Sequence, residues 1–274
     1  NIIYLIDMNN ILYVTTSTRK MYDLSGIKLI NSFIKYQEDS TLLYLTENFE
    51  LPIKKSNILE FDISKYLFLL NWLKKNKDII PIEFGGNYNY KIDRHSKSKY
   101  MIPQNLYDWN YKSSLWFRKI AALHYALTKY RYTYDYIIWI DNDCEIKQNF
   151  DEDFIKYLFN DRDFFYFLGR HRVQINFGVE SGFMGFSRKG YFILELLFDY
   201  YESNKFTKEI RWDDGWIFKT IISILYRNYN YKGHDLGSYY LKNDNNVMMI
   251  ENVQKYIIHY KGIHWKENID YNHK

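Results

Sequence analysis

The sequence predicts an α/β fold built on a mainly parallel central sheet, and three observations support this. Residues 11–15 and 41–46 are apolar, partly β-branched segments typical of buried strands. Between them, apolar residues recur at helical spacing from 27 to 34. The segment YIIWI at 136–140 is a third apolar strand candidate. A strand, a helix and a strand in that order predict a right-handed unit with parallel strands.

The other elements are predicted in chain order. A polar turn is expected at 16–18, and an amphipathic helix across 57–80 with Tyr66, Leu69, Leu70 and Leu73 on its apolar side. Periodicity is lost from 83 to 104, which predicts a long surface loop. Apolar spacing predicts helices near 116–130, 151–159, 190–202 and 215–226, strands near 164–168 and 256–260, and an apolar segment at 183–186.

Composition narrows the classes of function. Aromatic residues make up 20% of the chain, with 29 Tyr but only 3 Pro, a bias that an AT-rich genome would impose. The 37 basic and 33 acidic side chains leave a net charge of +4, which is too balanced for a nucleic-acid binder. Cys144 is the single cysteine, so no internal disulfide forms. We expect no membrane segment, because no apolar run approaches the roughly 18 residues that a spanning helix needs.

Two carboxylates follow the YIIWI segment directly, in the sequence Asp141-Asn142-Asp143. Ligands of open α/β sheets bind at the carboxyl ends of parallel strands, where these side chains would lie. Carboxylate oxygens suit Mg²⁺ or Mn²⁺, which also take diphosphate oxygens. The alternative is an ordinary strand-end turn, since Asp and Asn are common there.

On these residues the sequence resembles the GT-A glycosyltransferases, which use nucleotide sugars and carry a D-x-D motif after a central strand. His259-Tyr260-Lys261-Gly262, followed by His264-Trp265, looks like the C-terminal signature of many members. The resemblance implies that His259 joins Asp141 and Asp143 as a metal ligand. It also implies that Lys261 and Gly262 face the donor diphosphate, together with Asp141 and Asn142.

The segment from Asn176 to Phe186, which contains Glu180-Ser181-Gly182, is similar to the sugar-facing strand of that family. The resemblance implies that Ser181 and Gly182 contact the donor, with Gly182 giving clearance because it lacks a Cβ. Glu180 would hydrogen-bond sugar hydroxyls or flank the anomeric carbon. Without the family context, the same segment equally predicts a glycine-rich bend between two strands.

A second acidic pair, Asp213-Asp214, directly precedes a helical pattern. In the family, an acidic residue here contacts the acceptor or acts as base. By that match Asp214 is the expected base and Asp213 its neighbour that binds acceptor or sugar, although the two roles are interchangeable on sequence alone. The alternative is that one of them caps the helix, which Asp does well.

Two weaker matches complete the expected donor site. Thr15, Thr16 and Ser17 end the first strand, where the family holds the nucleotide base and ribose. Arg118 and Lys119 match a basic position near the donor, although such a pair on a helix usually faces solvent. His124 lies on the apolar side of the same helix and is expected to pack in the core.

The resemblance therefore implies a single GT-A domain over 1–274, with a donor half to about 145 and an acceptor half from about 146. It implies transfer from a UDP-sugar, with Mn²⁺ or Mg²⁺, to a hydroxyl of a glycan or protein. Inversion follows if Asp214 sits opposite the leaving group, and retention if Glu180 alone lines the reacting face. The HYKGIHW segment lacks the longer spacing and the proline of glycogenin-like enzymes, which weighs against a retaining, glucose-specific reading.

Two alternative functions have weaker support in the sequence. A silent carbohydrate-binding protein would suit the aromatic content, whereas a sugar-phosphate nucleotidylyltransferase would need a glycine-rich loop after the first strand, and residues 15–20 contain no Gly. No G-x-G-x-x-G motif occurs, which excludes a dehydrogenase. The overall look is nearest to eukaryotic and giant-virus enzymes that decorate proteins or surface glycans. We expect a cytoplasmic protein (host cytoplasm if viral), with an upstream anchor and a homodimer left open.

Overall fold

The computed structural model describes residues 10–78, 113–168, 178–239, 248 and 250–260. Within them, seven strands form one sheet in the order β3-β2-β1-β4-β7-β6-β8, and β5 and β9 form a small second sheet. The strands are β1 Ile11–Thr18, β2 Thr41–Glu47, β3 Ile58–Asp62, β4 Tyr136–Ile140, β5 Cys144–Ile146, β6 Phe164–Phe167, β7 Glu180–Ser187, β8 His234–Asp235 and β9 Ile257–His259.

The helices cover both faces of the large sheet. They are α1 Arg19–Met21, α2 Ile27–Tyr36, α3 Leu67–Asn76, α4 Ser113–Tyr130, α5 Glu152–Phe159, α6 Tyr191–Glu202, α7 Asp214–Tyr229 and α8 Glu251–Gln254, with a π-helical turn at Tyr22–Gly26 between the first two. Short 3-10 turns at Ile63–Lys65, Arg188–Gly190, Lys205–Lys208 and Leu236–Tyr239 complete the described elements.

The predicted fold class is confirmed. Strands β1 to β4 and β6 and β8 all point the same way, and only β7, between β4 and β6, runs antiparallel. One apolar cluster packs α3, α4, α6 and α7 on one face, and a second packs α2, α5 and α8 on the other. Because the parallel strands end at one edge, that edge collects the polar residues that follow them.

Three local predictions were wrong. The expected turn at 16–18 is strand, because these residues continue the parallel pairing of β1 with 45–47 of β2. The expected helix over 57–80 begins only at Leu67, since 58–62 form edge strand β3 beside β2. Asp62 ends that strand by accepting hydrogen bonds from the backbone and hydroxyl of Ser64. Leu70, expected on the apolar side of the helix, is exposed.

The remaining elements lie close to their predicted positions. Helices α2, α4, α5, α6 and α7 and strands β1, β2, β4, β6 and β9 are confirmed, with ends shifted by a few residues. The apolar segment at 183–186 belongs to strand β7, which starts at Glu180. The loop expected at 83–104 lies outside the described residues. Among the helices that the structure describes, none is long and apolar enough to cross a membrane.

Candidate active site

The D-x-D segment is held at the edge of the sheet by backbone hydrogen bonds. The amide of Asp141 donates to the carbonyl of Gly182, and the amide of Cys144 donates back to the carbonyl of Asp141. The chain then enters β5, which pairs antiparallel with β9 so that Cys144 lies opposite His259. The small sheet therefore brings the end of the described chain onto the D-x-D turn.

The three expected metal ligands meet at this point. His259 Nε2 lies 3.3 Å from Asp143 Oδ1 and 4.0 Å from Asp141 Oδ2. Burial alone would lower the pKa of His259, but Asp143, Glu180 and Asp141 outweigh it and raise that pKa. The pKa of Asp141 is also raised, chiefly by burial and further by Asp143. Each group is shifted because carboxylates crowd a site with little access to water.

Gly182 leaves a space beside the side chains of Asp141 and His259. A Cβ on Gly182 would lie 3.2 Å from Asp141 Oδ2, 3.0 Å from His259 Cε1 and 2.9 Å from Met248 Sδ. The space left by the missing methyl group therefore faces the carboxylate and the imidazole. Asp141 and His259 border this space, and with Asp143 they form a donor set of two carboxylates and one imidazole, which fits a divalent cation that prefers oxygen and nitrogen donors.

The thiol of Cys144 belongs to the same neighbourhood. Ligand atoms of Asp143, Cys144 and His259 all lie within 4.8 Å of one another. Burial raises the pKa of Cys144, and the carboxylates of Asp143, Asp141 and Glu180 raise it further. By its position, the thiol is a further donor beside the Asp143 carboxylate and the His259 imidazole.

Lys119 is the cation at the centre of the site. Its Nζ lies 3.1 Å from Asp141 Oδ1 and 2.9 Å from Asp214 Oδ2, and it donates at 2.9 Å to both the carbonyl and the hydroxyl of Ser181. Burial disfavours the charged form of Lys119, but Asp141 and Asp214 reverse this and raise its pKa. One side chain from α4 thus joins the ends of β4, β7 and α7.

The two acidic residues at the start of α7 occupy different environments. Asp213 caps the helix by accepting from the amide of Trp216 at 3.2 Å. Arg211 donates two hydrogen bonds of 2.8 Å to Asp213, one to each carboxylate oxygen. Burial raises the pKa of Asp213, although Arg211 opposes this. Asp214, in contrast, reaches the metal-ligand cluster through Lys119.

Glu180 lies at the same edge, because β7 runs antiparallel and begins where its neighbours end. It pairs with Phe167 of β6 and is buried. Its charge contributes to the raised pKa of His259, which places it in the electrostatic field of the cluster. Ser181, which follows it, accepts a hydrogen bond from Lys119. Gly182 borders the side chains of Asp141 and His259.

The polar residues that end β1 divide between the two faces of the sheet. Ser17 Oγ lies 2.7 Å from the Tyr44 hydroxyl, whereas Thr16 turns to the other face and donates to the carbonyl of Leu45. Within the described part of the chain, the buried hydroxyl of Thr15 has no hydrogen-bond partner. Asn142 lies beside the Tyr44 hydroxyl and so connects this polar group to the D-x-D turn.

Arg118 and His124 are placed away from the metal-ligand cluster. Arg118 makes two 2.7 Å bonds to the carboxylate of Glu47 at the end of β2. His124 packs in the aromatic core, stacked on Phe68 with ring centroids 3.8 Å apart, and its Nδ1 lies 2.7 Å from the Tyr66 hydroxyl. Lys261 and Gly262 lie outside the described residues, immediately after Tyr260.

Four contacts of this site were not anticipated from the sequence. They involve Trp139, Arg211, Glu47 and Met248. Trp139 and Arg211 each precede their carboxylate by two residues, a spacing that places alternate side chains of an extended segment on one face. The contacts of Trp139 and Arg211 are therefore predictable from the sequence. Glu47 and Met248 are distant in sequence from their partners, and only the fold brings them together.

Comparisons with known proteins give structural likenesses only. No protein-family model matches the chain, and no curated protein matches it. The crystal structure of mouse xyloside xylosyltransferase 1 is similar at 12% identity, with 82% of this chain and 84% of that one covered and a TM-score of 0.46. A glycosyltransferase involved in glycosylation of the major capsid of PBCV-1 is similar at 9% identity, with coverage of 94% and 99% and a TM-score of 0.43.

Proposed function

We propose that this protein is a metal-dependent glycosyltransferase that moves a sugar from a UDP-sugar to a hydroxyl of a glycan or protein acceptor. The observation that carries the proposal is the meeting of Asp141, Asp143 and His259 at the carboxyl edge of a mainly parallel sheet. This is the edge where ligands of such sheets bind. The GT-A resemblance of the D-x-D and HYKG segments is independent of that geometry and points to the same chemistry.

The concentration of acidic groups at the site supports a cation. Asp143, Glu180 and Asp214 are buried, and Lys119 lies between Asp214 and the partly buried Asp141. Buried carboxylates are costly unless they are paired or coordinate a metal. Asp141, Asp143 and His259 would hold Mn²⁺ or Mg²⁺. When bound, the cation stabilises the negative charge that gathers on the departing diphosphate.

The chain's own residues would carry the other roles. Asp214 is the proposed base that takes the proton of the acceptor hydroxyl, because it is the member of the acidic pair that faces the cluster. Asp213 would hold the start of α7 in place through Arg211. Glu180, Ser181 and Gly182 would line the donor sugar, with Lys119 fixing Ser181. The assignment of Asp214 favours inversion.

The nucleoside end of the donor would lie beside Thr15, Ser17 and Asn142. Ser17 lies 2.7 Å from the Tyr44 hydroxyl, which Asn142 also contacts, and Thr15 precedes Ser17 on the same face of β1. Thr16 and Arg118 would support the site without contacting the donor, Thr16 by its hydrogen bond to Leu45 and Arg118 by its ion pair with Glu47. Lys261 and Gly262, which follow β9, would face the diphosphate as the resemblance implies.

Release of free nucleotide from a panel of UDP-sugars and GDP-sugars with Mn²⁺ tests the proposal. We expect hydrolysis or transfer with a UDP-sugar, lost on addition of EDTA and in Asp143→Ala. Asp199→Ala, which removes an exposed carboxylate paired with Lys205, is the matched control and should retain activity. Metal-independent turnover, or full activity of Asp143→Ala, would contradict the proposal. Binding of UDP without turnover of any donor would favour the silent carbohydrate-binding alternative.

A further inference from the structure

The two carboxylate oxygens of Asp141 have different neighbours. Oδ1 accepts from Trp139 Nε1 at 2.6 Å and lies 3.1 Å from Lys119 Nζ. Oδ2 faces the opposite way, 4.0 Å from His259 Nε2 and 3.2 Å from the position of a Cβ on Gly182. One oxygen is therefore bound by two N–H donors, and the other borders the space between the metal-ligand side chains.

We propose that the Trp139 indole is a positioning residue that, with Lys119, fixes Asp141 so that only Oδ2 is presented to the metal. This inference rests on the proposed metal site. A carboxylate free to rotate about its last side-chain bond presents either oxygen or both to a cation. Hydrogen bonds to a charged oxygen are short and strong, and partners of this kind orient metal ligands in other proteins.

The indole is well placed to hold one orientation. Trp139 is 2% exposed and is the last residue but one of β4, paired with Val14 of β1 and Met184 of β7. Lys119 Nζ lies 5.0 Å from the centre of the Trp139 ring, so the two donors also pack against each other. Neither donor can leave Oδ1 without disturbing the packed core, which makes the selection of Oδ2 a fixed property of the fold.

The test compares two tryptophans that make the same kind of bond. Trp139→Phe removes the donor to Asp141 while keeping an aromatic ring. Trp72→Phe is the matched control, because Trp72 is 3% exposed and its indole donates to the carbonyl of Tyr201, away from the site. Mn²⁺ affinity of each protein is measured from the EPR signal of free Mn²⁺, and its melting temperature is recorded alongside.

We expect both variants to lose some thermal stability and only Trp139→Phe to bind Mn²⁺ more weakly, by about 10- to 100-fold, as for other losses of a ligand's hydrogen-bond partner. Unchanged Mn²⁺ affinity in Trp139→Phe, or an equal loss in Trp72→Phe, would overturn the positioning role and leave the metal site standing. Absence of Mn²⁺ binding by the wild-type protein would overturn the proposed function together with this inference.

A second readout covers the case in which Trp139→Phe does not fold. In wild-type protein with ¹⁵N-labelled tryptophan, an indole N–H bonded to a carboxylate that ligates a cation should change its resonance when Mg²⁺ is added. We expect one indole signal to move and to return with EDTA. If no indole resonance responds to Mg²⁺ at concentrations that saturate the site, the positioning role is wrong.

Discussion

The ammonium of Lys119 lies 2.9 Å from Asp214 Oδ2, and the same nitrogen lies 3.1 Å from Asp141 Oδ1. A lysine that is almost fully buried thus links the proposed base to a proposed metal ligand. The two carboxylates come from different elements, α7 and the end of β4, so the lysine also sets the distance between them.

Replacing Lys119 by Met should destabilise the protein by about 3–5 kcal/mol, because removal of one partner leaves buried charges uncompensated. Lys205→Met is the matched control, since Lys205 pairs with Asp199 at the surface. We expect it to cost at most about 1 kcal/mol. Urea unfolding of both variants measures the difference. Equal and small losses would show that the Lys119 contacts contribute little.

Asp213→Asn and Asp214→Asn should differ in their effects on kcat and on the melting temperature. Asp214→Asn should lower kcat by about 10²- to 10⁴-fold, the usual contribution of a general base. It should also lower the melting temperature, because Lys119 keeps Asp141 but loses Asp214. Asp213→Asn should lower the melting temperature because it leaves Arg211 buried beside a neutral amide, with a much smaller loss of kcat. Parallel measurement of kcat and melting temperature separates the two. A larger loss of kcat in Asp213→Asn than in Asp214→Asn would move the base to Asp213.

Gly182→Ala should weaken Mn²⁺ binding, because the added methyl group would lie 3.2 Å from Asp141 Oδ2 and 3.0 Å from His259 Cε1. Gly185→Ala on the same strand is the control. Its methyl group would meet the Phe165 ring in the core, so it should reduce stability without changing metal affinity. Calorimetric titration with Mn²⁺ distinguishes the variants. Normal Mn²⁺ affinity in Gly182→Ala would show that the space at Gly182 is not needed for the ion.

The partly buried histidine His124 should make stability depend on pH. Burial lowers its pKa in the folded protein, so the unfolded chain binds more protons near the ordinary histidine pKa of about 6.5. The stabilisation of the folded protein by neutral His124 is therefore fully present above that pH. It is lost as the pH falls toward the lower pKa of the folded state. The destabilisation caused by His124→Phe should therefore shrink between pH 7.5 and 5.5. A constant difference in unfolding free energy would contradict this.

The sequence predicted the central strands well for a physical reason. Strands β1, β2 and β4 are buried on both faces, and their continuous apolar runs have no competing interpretation. Edge strand β3 is only half-buried and carries Glu60 and Asp62, so its pattern is weak. The helical spacing of Tyr66, Leu69 and Leu73 therefore predicts a helix that includes the residues of β3.

The site was predictable where chemistry follows a strand directly, as at Asp141 and Asp143. The sequence motif groups Lys119 with Arg118, although the position of Lys119 on the helix distinguishes the two. Lys119 shares the buried side of α4 with Ala122, Leu123 and Ala126, three to seven residues later, a position where a charged group needs a partner. The identity of that partner, Asp214, depends on how α7 packs against α4, which no local pattern encodes.

The most direct test of the account is the location of the ion. A crystal soaked with MnCl₂ and UDP should show an anomalous manganese peak in contact with Asp143, His259 and Asp141 Oδ2, with Asp141 Oδ1 still bonded to Trp139 and Lys119. A manganese peak remote from those side chains, beside a bound nucleotide, would contradict the account.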